Sequence, residues 1–113
     1  MEMDNLEEYG AIIEEKLTEY TKIPYAYGDL KCRLIISEER NNFLLITQGW
    51  EDDIQVHGCL VHIEVIGNKI WIHRDGLEEG IANELVSAGI SQSAIVLGFH
   101  PPEVRPYTEF AVS

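Results

Sequence analysis

The chain has 113 residues, 45% hydrophobic and 25% charged, a composition typical of a single globular domain spanning 1–113. Twenty acidic against eight basic side chains give a formal net charge of −12, which disfavours autonomous binding to DNA or RNA. No apolar run approaches the roughly 20 residues that cross a bilayer and the N-terminus is acidic, so a cytoplasmic protein without a membrane segment is predicted.

The first predicted element is an amphipathic helix from Asp4 to Lys22, because apolar residues recur there at spacings of three and four. Residues 1–20 hold seven acids and one lysine. This charge indicates a solvated helix face and leaves open attraction to a basic partner. Pro24 is expected to end the helix, with a turn-rich connection over residues 23–29.

Four strands are predicted to follow. Alternating side chains indicate a half-buried strand from Leu30 to Ile36, and β-rich runs cover residues 42–50 and 54–66. Gly67-Asn68 is typical of a two-residue hairpin loop with glycine first, so residues 69–74 should fold back antiparallel on the third strand. Cys32 and Cys59 lie within apolar runs and are predicted to be reduced, packed thiols.

The hairpin register predicts that His62 faces His73 on one side of the sheet, with Glu64 one pair further along. Cβ atoms of facing residues lie about 5 Å apart, close enough for the two imidazoles to share a water or a metal ion. No further His or Cys motif supplies the remaining ligands of a metal site. A structural or interface histidine pair is therefore favoured, and a metal or catalytic site using His62, His73 and Glu64 is the alternative.

A second helix is predicted from Leu77 to Ala88, after the stretch DGLE. Asp75 stands where an N-cap belongs, Glu78 follows at the spacing of a capping box, and Gly89 falls just past the end as a C-cap glycine. Capping accounts for these acids. A nuclease-like site needs a lysine converging with them on a metal, and the sequence places none there, so no catalytic residue is predicted.

The tail from Ile95 is predicted to begin as a short apolar strand and then to run extended, because Pro101, Pro102 and Pro106 disfavour a helix. Its apolar side chains should pack on their own domain or on a second chain. His100 has no serine or cysteine nucleophile beside it, so catalysis there is not expected. A homodimer using this tail and the acidic helix is expected. Candidate interface residues are Trp50, His62, His73, His100, Arg105, Tyr107 and Phe110.

Four motifs point to a known family: GW at 49–50, HGCLVHIEV from His57, GNKIWIHRDGLEEGIANELV from Gly67, and IVLGFHPPEVRPYTEFAV from Ile95. They closely resemble XisI, the fdxN element excision controlling factor family of cyanobacteria. The resemblance implies an α+β two-layer sandwich, with an N-terminal helix and a second helix on an antiparallel sheet of at least four strands. Leu77 and His73 depart from the family's usual threonine and glutamine, and the second departure weakens a metal role for His73.

The resemblance also implies a role in programmed excision of a DNA element during heterocyst differentiation, beside a XisH-like partner with a nuclease-like fold. It carries no established catalytic residues and no cofactor. The favoured hypothesis is a non-enzymatic accessory factor that acts through this partner and does not bind DNA alone. The alternatives are an antitoxin-like inhibitor of a nuclease partner, and a metal-dependent subunit using His62 and His73.

Overall fold

The computed structural model describes residues 5–22 and 30–113, which form an α+β fold of two helices and a five-stranded sheet. The predicted fold class is confirmed. The elements are α1 (Asn5–Thr21), β1 (Lys31–Ile36), β2 (Asn42–Glu51), β3 (Ile54–Ile66), β4 (Lys69–Asp75), α2 (Ile81–Ser87) and β5 (Ile95–Leu97), with short 3-10 helices at Gln92–Ala94 and Arg105–Tyr107. The connection predicted over 23–29, with Pro24, lies outside the described residues. No described helix is long and apolar enough to cross a membrane.

The strands follow the chain in the order β1-β2-β3-β4-β5. The first four pair antiparallel, as predicted, whereas β5 pairs parallel with β4, a direction that the sequence did not specify. The reason is the connection: α2 carries the chain back across the sheet, so β5 starts at the same end as β4.

The helices cover one face of the sheet. Ile13 and Leu17 of α1 and Leu85 of α2 are fully buried against alternate residues of the central strands, including Phe43 and Ile63. Gly10 lies close to this layer, since a Cβ there would be 3.3 Å from Cζ of Phe43. The opposite face, called the open face below, carries the intervening residues of each strand.

The β3–β4 hairpin follows the predicted register from Ile66–Lys69 to Ile63–Ile72, and its loop begins at Gly67 with φ 61°. A bulge then shifts the pairing between His62 and Ile63, so His62 faces Arg74. The predicted pairing of His62 with His73 is therefore wrong in register. The bulge leaves His73 as the extra residue on β4, a local irregularity that alternation of side chains does not reveal.

The second helix begins at Ile81, four residues after the predicted start, with Gly80 (φ 83°) as its N-cap. Asp75 instead ends β4, and the next amide, of Gly76, still donates to Leu60 O at 2.7 Å. The chain is thus held at the sheet beyond Asp75 and cannot yet turn into a helix.

Asp75 nevertheless caps α2 from a distance. Its Oδ2 accepts from the amide of Ile81 at 2.8 Å, and its Oδ1 accepts from the amide of Leu77 at 3.2 Å. The predicted capping box is wrong, because Glu78 is exposed, lies before the helix and makes no described capping bond. At the other end, Gly89 (φ 108°) donates to Val86 O and Ile90 donates to Leu85 O, the bonding pattern of a Schellman motif.

The C-terminal tail, residues 98–113, is not extended throughout, contrary to the prediction. Residues Arg105–Tyr107 form a 3-10 helix, and Pro106 sits in its first turn, where no backbone N–H is required. The tail then returns to the sheet, with Ala111 bridging Val96 and donating to Ile95 O at 2.8 Å. It therefore packs on its own domain.

Candidate functional site

The open face carries a group of partly buried polar and aromatic side chains, called the open-face cluster below. Its residues come from the ends and middle of β2, β3 and β4, and the antiparallel register brings them side by side. They are Asn42, His62, Glu64, Trp71 and His73. Three of them are the residues that the sequence marked as a possible metal or catalytic group.

Each histidine of the open-face cluster already has a polar partner. Nε2 of His62 lies 3.0 Å from Oδ1 of Asn42, and Nε2 of His73 lies 3.0 Å from Oε1 of Glu64. The two rings are neighbours, with centroids 4.9 Å apart and planes tilted by 50°. Proximity of the histidines was thus anticipated although their register was not, because the bulge brings His73 beside His62 rather than opposite it.

Burial lowers the pKa of His62 below its usual value, and the neighbouring His73 lowers it further, while Glu64 acts in the opposite direction. His62 is therefore neutral near pH 7, and its Nε2–H donates to the Asn42 amide oxygen. Across residues 5–22 and 30–113, no group of three or more His, Cys, Asp or Glu side chains is placed to hold a metal ion. The two histidine hydrogen bonds instead join β2 to β3 and β3 to β4 on the open face.

The tail lies on one end of the open-face cluster. The guanidinium of Arg105 stacks over Trp71, with its carbon 5.2 Å from the ring centroid, and its Nε donates to His100 O at 3.0 Å. Trp71 in turn stacks on His73, with centroids 6.2 Å apart. Sequence reasoning missed Trp71, although its place on the same strand face as His73 was a usable signal.

Gly98 permits the close approach of the tail to β4. A Cβ at this position would lie 3.2 Å from His73 Nδ1, 3.2 Å from Trp71 Cε3 and 3.3 Å from Ile72 O. These distances are shorter than ordinary van der Waals contacts, so a larger residue would require the tail or the open-face cluster to shift by a few tenths of an ångström. The tail and the open-face cluster are thus one connected surface.

The remaining predicted interface residues are dispersed. Tyr107 is 88% exposed on the tail, and the ring of His100 packs against Phe99 with centroids 4.6 Å apart. Phe110 is partly buried and packs against the hydrophobic core. Trp50 is 52% exposed but lies near the tip of the β2–β3 hairpin, away from the cluster.

A second feature is the far part of that hairpin, residues 47–60, called the hairpin arm below. None of its residues is buried. A groove of about 460 Å³ lies on the arm and the start of β1, lined by Lys31, Gln48, Gly49, Trp50, Gln55 and His57. The arm therefore offers surface without a hydrophobic core of its own.

The exposed side of α1 is acidic, as expected. Glu14 forms an ion pair with Arg40, and Tyr20 donates a hydrogen bond to Glu84 of α2. Burial, followed by this hydrogen bond, raises the pKa of Tyr20. The tyrosine therefore stays protonated and joins the two helices at neutral pH.

Comparison with known proteins gives a consistent result. A family model described as XisI protein matches residues 3–112. A crystal structure of a XisI-like protein from Anabaena variabilis ATCC 29413 is 30% identical, covers 96% of this chain and 99% of its own, and superposes with a TM-score of 0.85. The structure of fdxN element excision controlling factor XisI from Anabaena variabilis ATCC 29413 is 34% identical, with coverages of 97% and 100% and a TM-score of 0.79. No curated protein matches the chain significantly.

Proposed function

The chain belongs to the XisI family, and on that premise we propose that it is a non-enzymatic accessory factor in the controlled excision of a DNA element. The observation that carries this proposal is the family match over residues 3–112, together with the similarity to the Anabaena variabilis excision controlling factor over 97% of the chain. Programmed excision during heterocyst differentiation is the setting in which we propose that it acts.

The charge distribution supports action through a protein rather than direct contact with DNA. The net charge is −12, and duplex binding requires grouped cations that displace counterions. Lys31 and Arg33 lie on β1, while Lys69 and Arg74 lie on β4, and two strands separate the pairs. We therefore propose that the protein reaches DNA through a XisH-like partner of nuclease-like fold.

The open-face cluster and the tail are the proposed docking surface for this partner. Phe99, Val104 and Tyr107 are exposed apolar residues on the tail, which Arg105 holds against Trp71. Exposed aromatic residues beside an ordered arginine are the side chains that most often dominate protein interfaces. The hydrogen-bonded histidines provide polar contacts at the edge of that surface.

A binding and gel-shift experiment tests the proposal. The purified chain alone should not retard duplex DNA at about 150 mM salt, while an XisH-like protein should bind the chain and bring it to the DNA. Tyr107→Ala should weaken the complex, and Ile35→Ala, which removes a half-exposed apolar side chain on β1, is the matched control. A retarded band from this chain alone, persisting at that salt, would refute the accessory role.

The acidic charge also favours a second function, in which the chain masks the basic surface of a nuclease partner as an antitoxin does. Both functions use the same complex and differ in its output. Excision of the DNA element and DNA cleavage by the partner should therefore be measured with and without the chain. Increased excision supports the controlling factor, whereas suppressed cleavage without any effect on excision supports the inhibitor.

A further inference from the structure

Three of the unpaired edges in the described sheet are candidates for pairing with a further strand. The β1 edge carries Lys31 and Arg33, and charged side chains on an edge strand discourage pairing with another chain. The β5 edge is partly covered by the bridge from Ala111 to Val96. The third place is on β3: its pairing with β4 starts only at Val61, so the segment Ile54–Gly58 has β2 on one side and no described strand on the other.

This segment, the free β3 edge, has the properties of a pairing site. It contains no aspartate, glutamate, lysine or arginine, and Ile54 is 69% exposed. A two-stranded ribbon without a core is marginal in water, and an uncharged edge invites a further strand. Of the three edges, the free β3 edge alone has no charged residue and no cover from the described part of the chain.

We propose that the free β3 edge pairs antiparallel with the same segment of a second copy of this chain, about a two-fold axis at Val56. The backbone directions permit it. Glu51 and Ile54 flank a two-residue loop and exchange the first ladder bonds, so by alternation the amides and carbonyls of Gln55 and His57 point away from β2. Pairing about Val56 sets Gln55 of one copy opposite His57 of the other.

The direction of these groups agrees with an independent contact. By the same alternation the carbonyl of Cys59 also points away from β2, and it accepts a hydrogen bond from Nε of Arg74 at 2.6 Å. The next carbonyl, of Leu60, accepts from Gly76. With the two-fold axis at His57 instead, Asp53 of one copy would lie opposite Val61 of the other, and Val61 is already paired with Asp75 of its own chain. The axis at Val56 is therefore favoured.

The side chains also complement one another about this axis. Ile54 of one copy faces Gly58 of the other, and a Cβ at Gly58 would have no described neighbour within 4 Å. Gly58 is not among the glycines with positive φ, so the described backbone does not require a glycine there. The second copy supplies the missing contact, because the exposed Ile54 packs over the space that Gly58 leaves.

Charge complementarity identifies the second copy as the occupant. The same register brings Asp53, at the acidic tip of the arm, beside Cys59 of the other copy, where the guanidinium of Arg74 lies. Arg74 forms no ion pair within the described part of the chain. The two-fold axis creates this Asp53–Arg74 contact twice. Within one chain the two residues are separated by about 20 Å of strand, so the contact can form only between copies.

Sedimentation velocity, applied to the chain and to variants with one charge reversed, tests the proposal. The unmodified chain should form a dimer. Asp53→Arg and Arg74→Asp should each weaken that dimer by about tenfold to a hundredfold, since each replaces two attractions with two repulsions at a surface. An equimolar mixture of the two variants should dimerise again, because both charge pairs are then opposite in sign. A chain that stays monomeric, or variants that do not complement each other, would overturn the proposal.

Two further variants and one measurement complete the test. Val56→Lys places like charges on the axis and should abolish the dimer, while Arg33→Asp on the β1 edge is the control that should leave it intact. Circular dichroism establishes that each variant is folded. Hydrogen exchange on the unmodified chain should show protected amides at Gln55 and His57 that lose protection on dilution; fast exchange at all concentrations would contradict the pairing.

Discussion

Replacing Asp75 with alanine is the sharpest test of how the β4–α2 connection is built. The carboxylate accepts from Ile81 at 2.8 Å and from Leu77 at 3.2 Å, so the change removes both acceptors. The Ile81 amide belongs to a residue with no exposed surface, and an unsatisfied buried donor costs about 1–3 kcal/mol. Leu77 is half-exposed, so its amide can hydrogen-bond to water instead. We expect a loss of about 2–3 kcal/mol in the free energy of unfolding.

The assay is urea denaturation followed by far-UV circular dichroism at one fixed protein concentration, because association would otherwise alter the apparent stability. A loss of this size corresponds to a fall in Tm of roughly 10 °C. Asp75→Asn, which keeps one oxygen acceptor, should lose about half as much.

Glu78→Ala is the matched control. A local capping box would make Glu78 as important as Asp75, whereas the structure leaves Glu78 exposed ahead of the helix, so its removal should change stability by less than about 0.5 kcal/mol. Equal losses for the two alanine variants, or an Asp75→Ala variant as stable as the parent, would show that the long-range cap is not the stabilising interaction.

Three further predictions concern the open face and the tail. Because the pKa of His62 is lowered in the folded state, the free energy of unfolding should be highest above about pH 6.5 and should decrease as the pH falls below that value. His62→Gln, compared with the parent by denaturation above and below about pH 6.5, should lessen that decrease. Gly98→Ala should push the tail away from Trp71 and change the tryptophan fluorescence, measured with Trp50→Phe in both proteins so that one reporter remains; an unchanged spectrum would argue against the close approach. Deletion of residues 102–113 should lower Tm, because it removes Phe110 and the Ala111–Ile95 bond, yet leave the dimer intact; a monomer would place the interface on the tail.

Local patterns predicted much of the fold correctly. The period of apolar residues revealed α1 and alternation revealed β1, because helices and half-buried strands bury one face at a fixed spacing. Composition rich in β-forming residues revealed β2 and β3, and the hairpin loop revealed β4. Turn chemistry was equally informative. Gly67 and Gly89 were placed correctly because each occupies a backbone conformation with positive φ that few other residues adopt readily.

The tertiary structure decided the features that join distant residues. The bulge at His62 and the late start of α2 depend on contacts of β4 with Leu60 and its neighbours, and no short window of sequence contains both partners. The position of the tail likewise depends on Trp71, 34 residues before Arg105. The sequence therefore determined which residues form helices and strands and which residue types offer recognition chemistry. Only packing determined which of those residues meet, because contact between distant segments is set by the shape of the whole core.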